Sequence, residues 1–114
     1  MKKILTLLTL LSIPMICSAE WLGGRTPSAT YGAKFIEFGI DSPPADKTCS
    51  FFGRHMRFDA TTPEGKNIFT MLMTAIATNR TIDIWYVPSD KPGTDHTTGC
   101  RGSSIATVTA IGLK

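Results

Sequence analysis

Thr62-Pro63-Glu64-Gly65-Lys66-Asn67-Ile68-Phe69-Thr70-Met71-Leu72-Met73-Thr74-Ala75-Ile76-Ala77-Thr78-Asn79-Arg80 is the stretch on which the reading of this chain turns. Thr61 or Thr62 can cap a helix. Pro63 suits the first helical position, where its missing N–H costs nothing, and Glu64 complements the positive helix end. Asn79 is a good left-handed terminator and Arg80 follows near the negative end, so a helix is expected from Pro63 to about Thr78. At 100° per residue, Ile68, Leu72, Ala75 and Ile76 form one stripe. Phe69 and Met73 widen it, and Met71 falls outside it beside Thr74 and Thr78. That apolar sector is broader than one sheet face needs, so either the helix is central in the monomer or a second chain covers it. With no second helix in so short a chain, cover by a partner is expected. Phe69, Met71 and Met73 are the residues assigned to that contact.

Working outward, Thr81 to Val87 alternates: Ile82, Ile84 and Tyr86 share one face, and Asp83, Trp85 and Val87 the other. Pro88 stops this strand, and a polar loop runs to Gly99. Ser103 to Leu113 reads as a last strand rich in β-branched residues. Upstream, Thr48 to Phe52 and His55 to Ala60 read as short strands with Gly53 as the turn between them. Tyr31 to Ile40 reads as a strand ended by the turn-rich Asp41-Ser42-Pro43-Pro44-Ala45-Asp46. Glu20 to Ser28 reads as an extended arm. The expected class is mainly β with one helix, in the order β-β-β-α-β-β, as a small five-stranded barrel of OB-fold type.

The first residues carry a different message. Met1-Lys2-Lys3 is basic, Ile4 to Ile16 is mostly apolar, and Cys17-Ser18-Ala19 is a run of small residues. This is the pattern of a bacterial secretory leader, and the apolar run is too short for a spanning helix. Residues 1–19 are therefore expected to be a signal peptide cleaved after Ala19, and residues 20–114 one secreted domain. Ile16 stands where a lipid-attachment box wants a small residue, which disfavours lipidation of Cys17. Two of the twelve basic residues, Lys2 and Lys3, leave with the leader, so ten remain against nine acidic ones. A balance so near neutral argues against nucleic acid as a partner. Cys17 also leaves, and in an oxidising compartment Cys49 and Cys100 are expected to pair, the alternative being two buried thiols.

Against this background the chain is similar to the B subunits of bacterial toxins built of one A and five B chains, of the subtilase-cytotoxin and typhoid/pertussis-like type. Ala19-Glu20-Trp21 followed by Gly23 resembles the Ala-Glu-Trp-Thr-Gly start of those subunits. Ile82-Asp83-Ile84-Trp85-Tyr86-Val87-Pro88 resembles their Val-Arg-Ile-Tyr-Tyr-x-Pro strand, and the element order and cysteine use agree. The resemblance implies a homopentameric ring with helices facing the pore, outer faces that bind host cell-surface glycans, sialylated ones among them, and delivery of a catalytic A subunit. It places Tyr86 in the sugar site together with polar residues of the early segment. The acidic and hydroxyl residues of that segment align onto Pro27 and Tyr31.

Tyr86 suits a sugar because its ring can stack on C–H groups while its hydroxyl stays wet. Sharing a face with Ile82 and Ile84, it suits the core equally well. Tyr31, Ser28 and Thr30 are assigned to the same site, with an ordinary polar arm as the alternative. Trp21 and Trp85 are assigned to the subunit interface, with packing inside the chain as the alternative. His55 and His96 are too few for a zinc site once the cysteines pair, so no metal and no cofactor are expected. Asp95-His96 lacks a nucleophile elbow or an oxyanion loop around it, and no enzyme activity is expected. A periplasmic or secreted OB-type binding module with no toxin partner is the competing function.

Overall fold

The computed structural model describes residues 19–94 and 96–114. The expected leader therefore lies, but for Ala19, outside the described residues. Among them the chain forms six strands and one α-helix: β1 Glu20–Arg25, β2 Pro27–Gly32, β3 Phe35–Ile40, β4 Met56–Asp59, α1 Pro63–Ala77, β5 Ile82–Val87 and β6 Ala106–Leu113. Short 3-10 turns occupy His96–Thr98 and Gly102–Ser104. The mainly-β class with a single helix is as expected.

All strands belong to one mixed sheet in the order β1-β5-β6-β4-β3-β2. Only β4 and β6 run parallel. The sheet is not closed by hydrogen bonds: β1 pairs with β5 alone and β2 with β3 alone. One residue, Thr26, separates these two edge strands in the chain, and its N–H donates to the Asp41 carboxylate at 2.6 Å.

Several boundaries differ from those read in the sequence. The arm Glu20 to Ser28 is paired backbone, supplying all of β1 and the start of β2. The expected strand Tyr31 to Ile40 is two strands, because the chain turns at Ala33 and Lys34 and the Ala33 N–H meets the Phe35 carbonyl. Thr48 to Phe52 makes only isolated bridges, Cys49 with Gly93 and Phe51 with Arg54. Its backbone is committed elsewhere, the Thr48 N–H to the Pro44 carbonyl and the Ser50 N–H to the Gly93 carbonyl. The last strand begins at Ala106, since Gly102–Ser104 is wound into a 3-10 turn.

α1 follows its sequence signals closely. The Thr62 hydroxyl accepts the Gly65 N–H at 2.9 Å and Pro63 opens the helix. A side chain at Gly65 would collide with the Asp59 carbonyl, which fixes glycine there. At the other end Asn79 has φ 54°, the Arg80 N–H reaches the Ala75 carbonyl and the Asn79 N–H the Ile76 carbonyl, a Schellman arrangement. Ile68, Leu72 and Ala75 are buried in the main core with Phe38, Met56, Phe58, Ile82, Ile84, Tyr86 and Val108.

A second, smaller apolar cluster stands apart from that core. It consists of Cys49, Cys100 and Ile105, with Phe51 packed against them. Cys49 and Cys100 are disulfide-bonded with their Cα atoms 5.3 Å apart. In the chain-entropy picture, closing a loop of this length stabilises the fold by roughly 4 kcal/mol.

Candidate functional site

Among the described residues, the turn Phe51-Phe52-Gly53-Arg54 has an unusual backbone. The Phe51 N–H donates to the Arg54 carbonyl and the Arg54 N–H to the Phe51 carbonyl, both at 3.0 Å. Both central residues have positive φ, 52° at Phe52 and 76° at Gly53, as a two-residue hairpin of the primed kind requires. Glycine adopts this freely. A bulky aromatic does so at a cost of order 1–3 kcal/mol, and such outliers gather at functional sites. Phe52 nevertheless presents its ring to solvent, 77% exposed. The Gly53 carbonyl rests directly against Gly39, where no side chain would fit, and this seats the turn beside the Ser28–Gly39 pair of β2 and β3.

Arg54, the last residue of the turn, organises what surrounds it. Its guanidinium carbon lies 4.5 Å from the Tyr31 ring centroid, 5.7 Å from that of Phe52 and 5.9 Å from that of Phe51. Its Nε is 2.8 Å from Glu37 Oε1. Glu37 faces Arg57 across the β3–β4 register, and the Arg57 Nε is 3.8 Å from its second oxygen. The Arg57 guanidinium in turn covers the Phe35 ring at 4.0 Å. One nearly buried carboxylate thus lies within ion-pair range of two guanidiniums whose buried Nε atoms make no hydrogen bond, each guanidinium lying over an aromatic ring, and the trio keeps a net positive charge. A cation over a ring adds about 0.5–1 kcal/mol when exposed and about 2 when desolvated, so the stacking helps to fix these side chains. Tyr31 is 62% exposed, so the surface offers open ring faces beside a fixed cation.

Beside this surface His55 is half-buried. Its Nδ1 accepts the Ile40 N–H at 3.0 Å, and burial lowers its pKa below the usual 6.5.

Of the residues expected at a sugar site, Ser28, Thr30 and Tyr31 are exposed on β2, and Tyr31 belongs to the Arg54 cluster. Tyr86 is not brought to them. Its side chain is fully buried with Ile82 and Ile84, and burial pushes its phenol above the ordinary value of 10.0. Trp21 and Trp85 are register partners on β1 and β5, both exposed, and the Trp21 ring lies over Gly23. On the helix Phe69 and Ile76 are exposed, whereas Met71 and Met73 pack partly against the core. Met71 also lines a shallow cleft of about 210 Å³ between α1 and β6.

Sequence reasoning passed over Arg54, Glu37, Arg57, Phe35 and Phe52. The available signal was the pair Phe51-Phe52 directly ahead of Gly53 and a basic residue, an aromatic pair placed at a turn. Among the described residues, no group of three or more His, Cys, Asp or Glu is arranged to hold a metal ion. Compared with protein-family models, with curated proteins and with solved structures, the chain matches none.

Proposed function

We propose that this chain is an exported glycan-binding subunit of the ring-forming toxin B type, with residues 1–19 removed as a signal peptide. In this reading the mature chain assembles as a homopentamer and carries a catalytic A subunit to glycans on host cells. Its fold is of OB type: β1 and β2 are two halves of one bent strand. Counted as one, they make five strands and lead the strand order back to its start.

The observation that carries the sugar reading is the Arg54 surface. Sugars present weakly apolar C–H faces and a rim of hydroxyls, and acidic sugars add a carboxylate. Open aromatic faces next to a fixed guanidinium match both parts. Tyr31, Ser28 and Thr30 serve the ligand together with Phe52 and Arg54, and Tyr86 serves the core. Ring formation is supported by the apolar side chains that the single chain leaves uncovered, Phe69 and Ile76 on α1 and the Trp21–Trp85 pair on the sheet. Single-site sugar affinity is expected to be weak and to be raised by several sites acting together.

The test is a glycan array probed with the purified mature protein, with Tyr31→Ala and Arg54→Ala as controls that keep the fold by circular dichroism. Binding by the parent and its loss in both variants is expected. A folded, multimeric parent that binds no glycan overturns the reading.

A further inference from the structure

We propose that the Cys49–Cys100 disulfide is a positioning element for the Phe51–Arg54 turn, and that the main core folds without it. This rests on the reading of that turn as part of the ligand surface.

The two apolar clusters carry the argument. The main core is assembled from the strands and α1 and includes neither cysteine. The disulfide lies in the satellite cluster, whose other members are Ile105 and Phe51. Phe51 is the first residue of the turn. Its ring stands 4.5 Å from that of Phe52 and within cation–π range of Arg54. The turn therefore has two roots. One is in the sheet, where the His55 N–H meets the Phe38 carbonyl and β4 starts at Met56. The other is in the disulfide cluster, through Phe51. Around Cys49 the backbone bonds that supplement the disulfide are those joining Thr48 and Ser50 to Gly93, Thr48 to Pro44 and Ser89 to Lys47, and all of them lie in loops outside the main sheet. Gly102, two residues beyond Cys100, comes up against the same site: a Cβ there would stand 3.6 Å from Glu37 Oε2 and 3.9 Å from the Phe51 ring. Opening the disulfide releases both flanks of the Arg54 cluster and leaves the sheet and helix intact.

The surface is then redox-sensitive. A dithiol supplies two electrons and two protons, Cys49 and Cys100 become thiols, and the dithiol closes to its own disulfide. Because both sulfurs are buried, the attack must wait for local opening of the loop.

The experiment compares backbone order parameters by NMR in the disulfide-bonded protein, in Cys49→Ala/Cys100→Ala, and in Phe51→Ala, which keeps the disulfide but removes the ring that rests on it. In the first, Phe52, Gly53 and Arg54 are expected to be as rigid as α1, near ~0.85; in both variants they fall below ~0.6 while α1 and β5 do not change. Where the parent binds a glycan, dissociation constants in both variants rise about tenfold or more through lost preorganisation. A turn equally ordered in both variants overturns the proposal, and so does a double variant that loses order throughout. The order parameters are read without ligand. An empty glycan array therefore sinks the sugar reading and leaves the structural coupling to be judged by them.

Discussion

Phe52 carries a conflict between backbone and side chain that one substitution can resolve. Phe52→Gly removes a left-handed cost of about 1–2 kcal/mol and adds the entropy of a freer unfolded chain, about 0.4–1 kcal/mol. Stability unchanged or slightly raised is expected from urea unfolding, together with weakened glycan binding. A clear fall in the urea midpoint would mean that the ring's contacts with Phe51 and Arg54 outweigh the strain. His55 gives the pH counterpart. Burial lowers its pKa in the folded chain, so the unfolded chain takes up a proton that the native imidazole refuses. The His55 contribution is therefore complete above the ordinary value of 6.5 and is lost as pH falls from there toward the depressed native value. Protonation also removes the acceptor for the Ile40 N–H. His55→Asn, which keeps an acceptor near the Nδ1 position, should flatten the melting temperature against pH over this window. An unchanged slope would assign the dependence to another group.

Elements differ in how plainly the sequence announces them. The helix was legible at both ends, because Thr62, Pro63 and Asn79 act on their own neighbours. β5 was legible because Ile82, Ile84 and Tyr86 alternate with more exposed residues and do face inward. β1 was not: Glu20–Arg25 has two glycines and no clear alternation, and its partner lies some sixty residues away. Glu37 and Arg57 meet only through the β3–β4 register, which no local pattern encodes. That is why the Arg54 cluster stayed invisible while Tyr31, a member of it, was singled out. The helix also supplies a test of assembly. Phe69, Met73 and Ile76 stand at i, i+4 and i+7, a stripe flanking the buried one, and its two outer members are exposed. Phe69→Ser/Ile76→Ser is expected to lower the solution mass by light scattering from a multimer to a single chain, with the helical signal retained. A parent that is itself a stable single copy at high concentration removes the ring.

For the whole molecule, the position of the sheet's borders matters most. β1 and β2 sit at opposite ends of the strand order, yet only Thr26 separates them in the chain. One short ribbon therefore shields two distant rows of backbone amides, those of β5 and those of β3. Proteolytic removal of β1 would uncover the first row and, past the corner at Thr26, removal of β2 the second. Trimming would thus move the sheet's two free borders inward, from the glycine-bearing β1 and the polar β2 to the more apolar β5 and β3, which are more prone to stick edge to edge with their neighbours. The integrity of Glu20–Gly32 is then expected to weigh on solubility out of proportion to its share of the core.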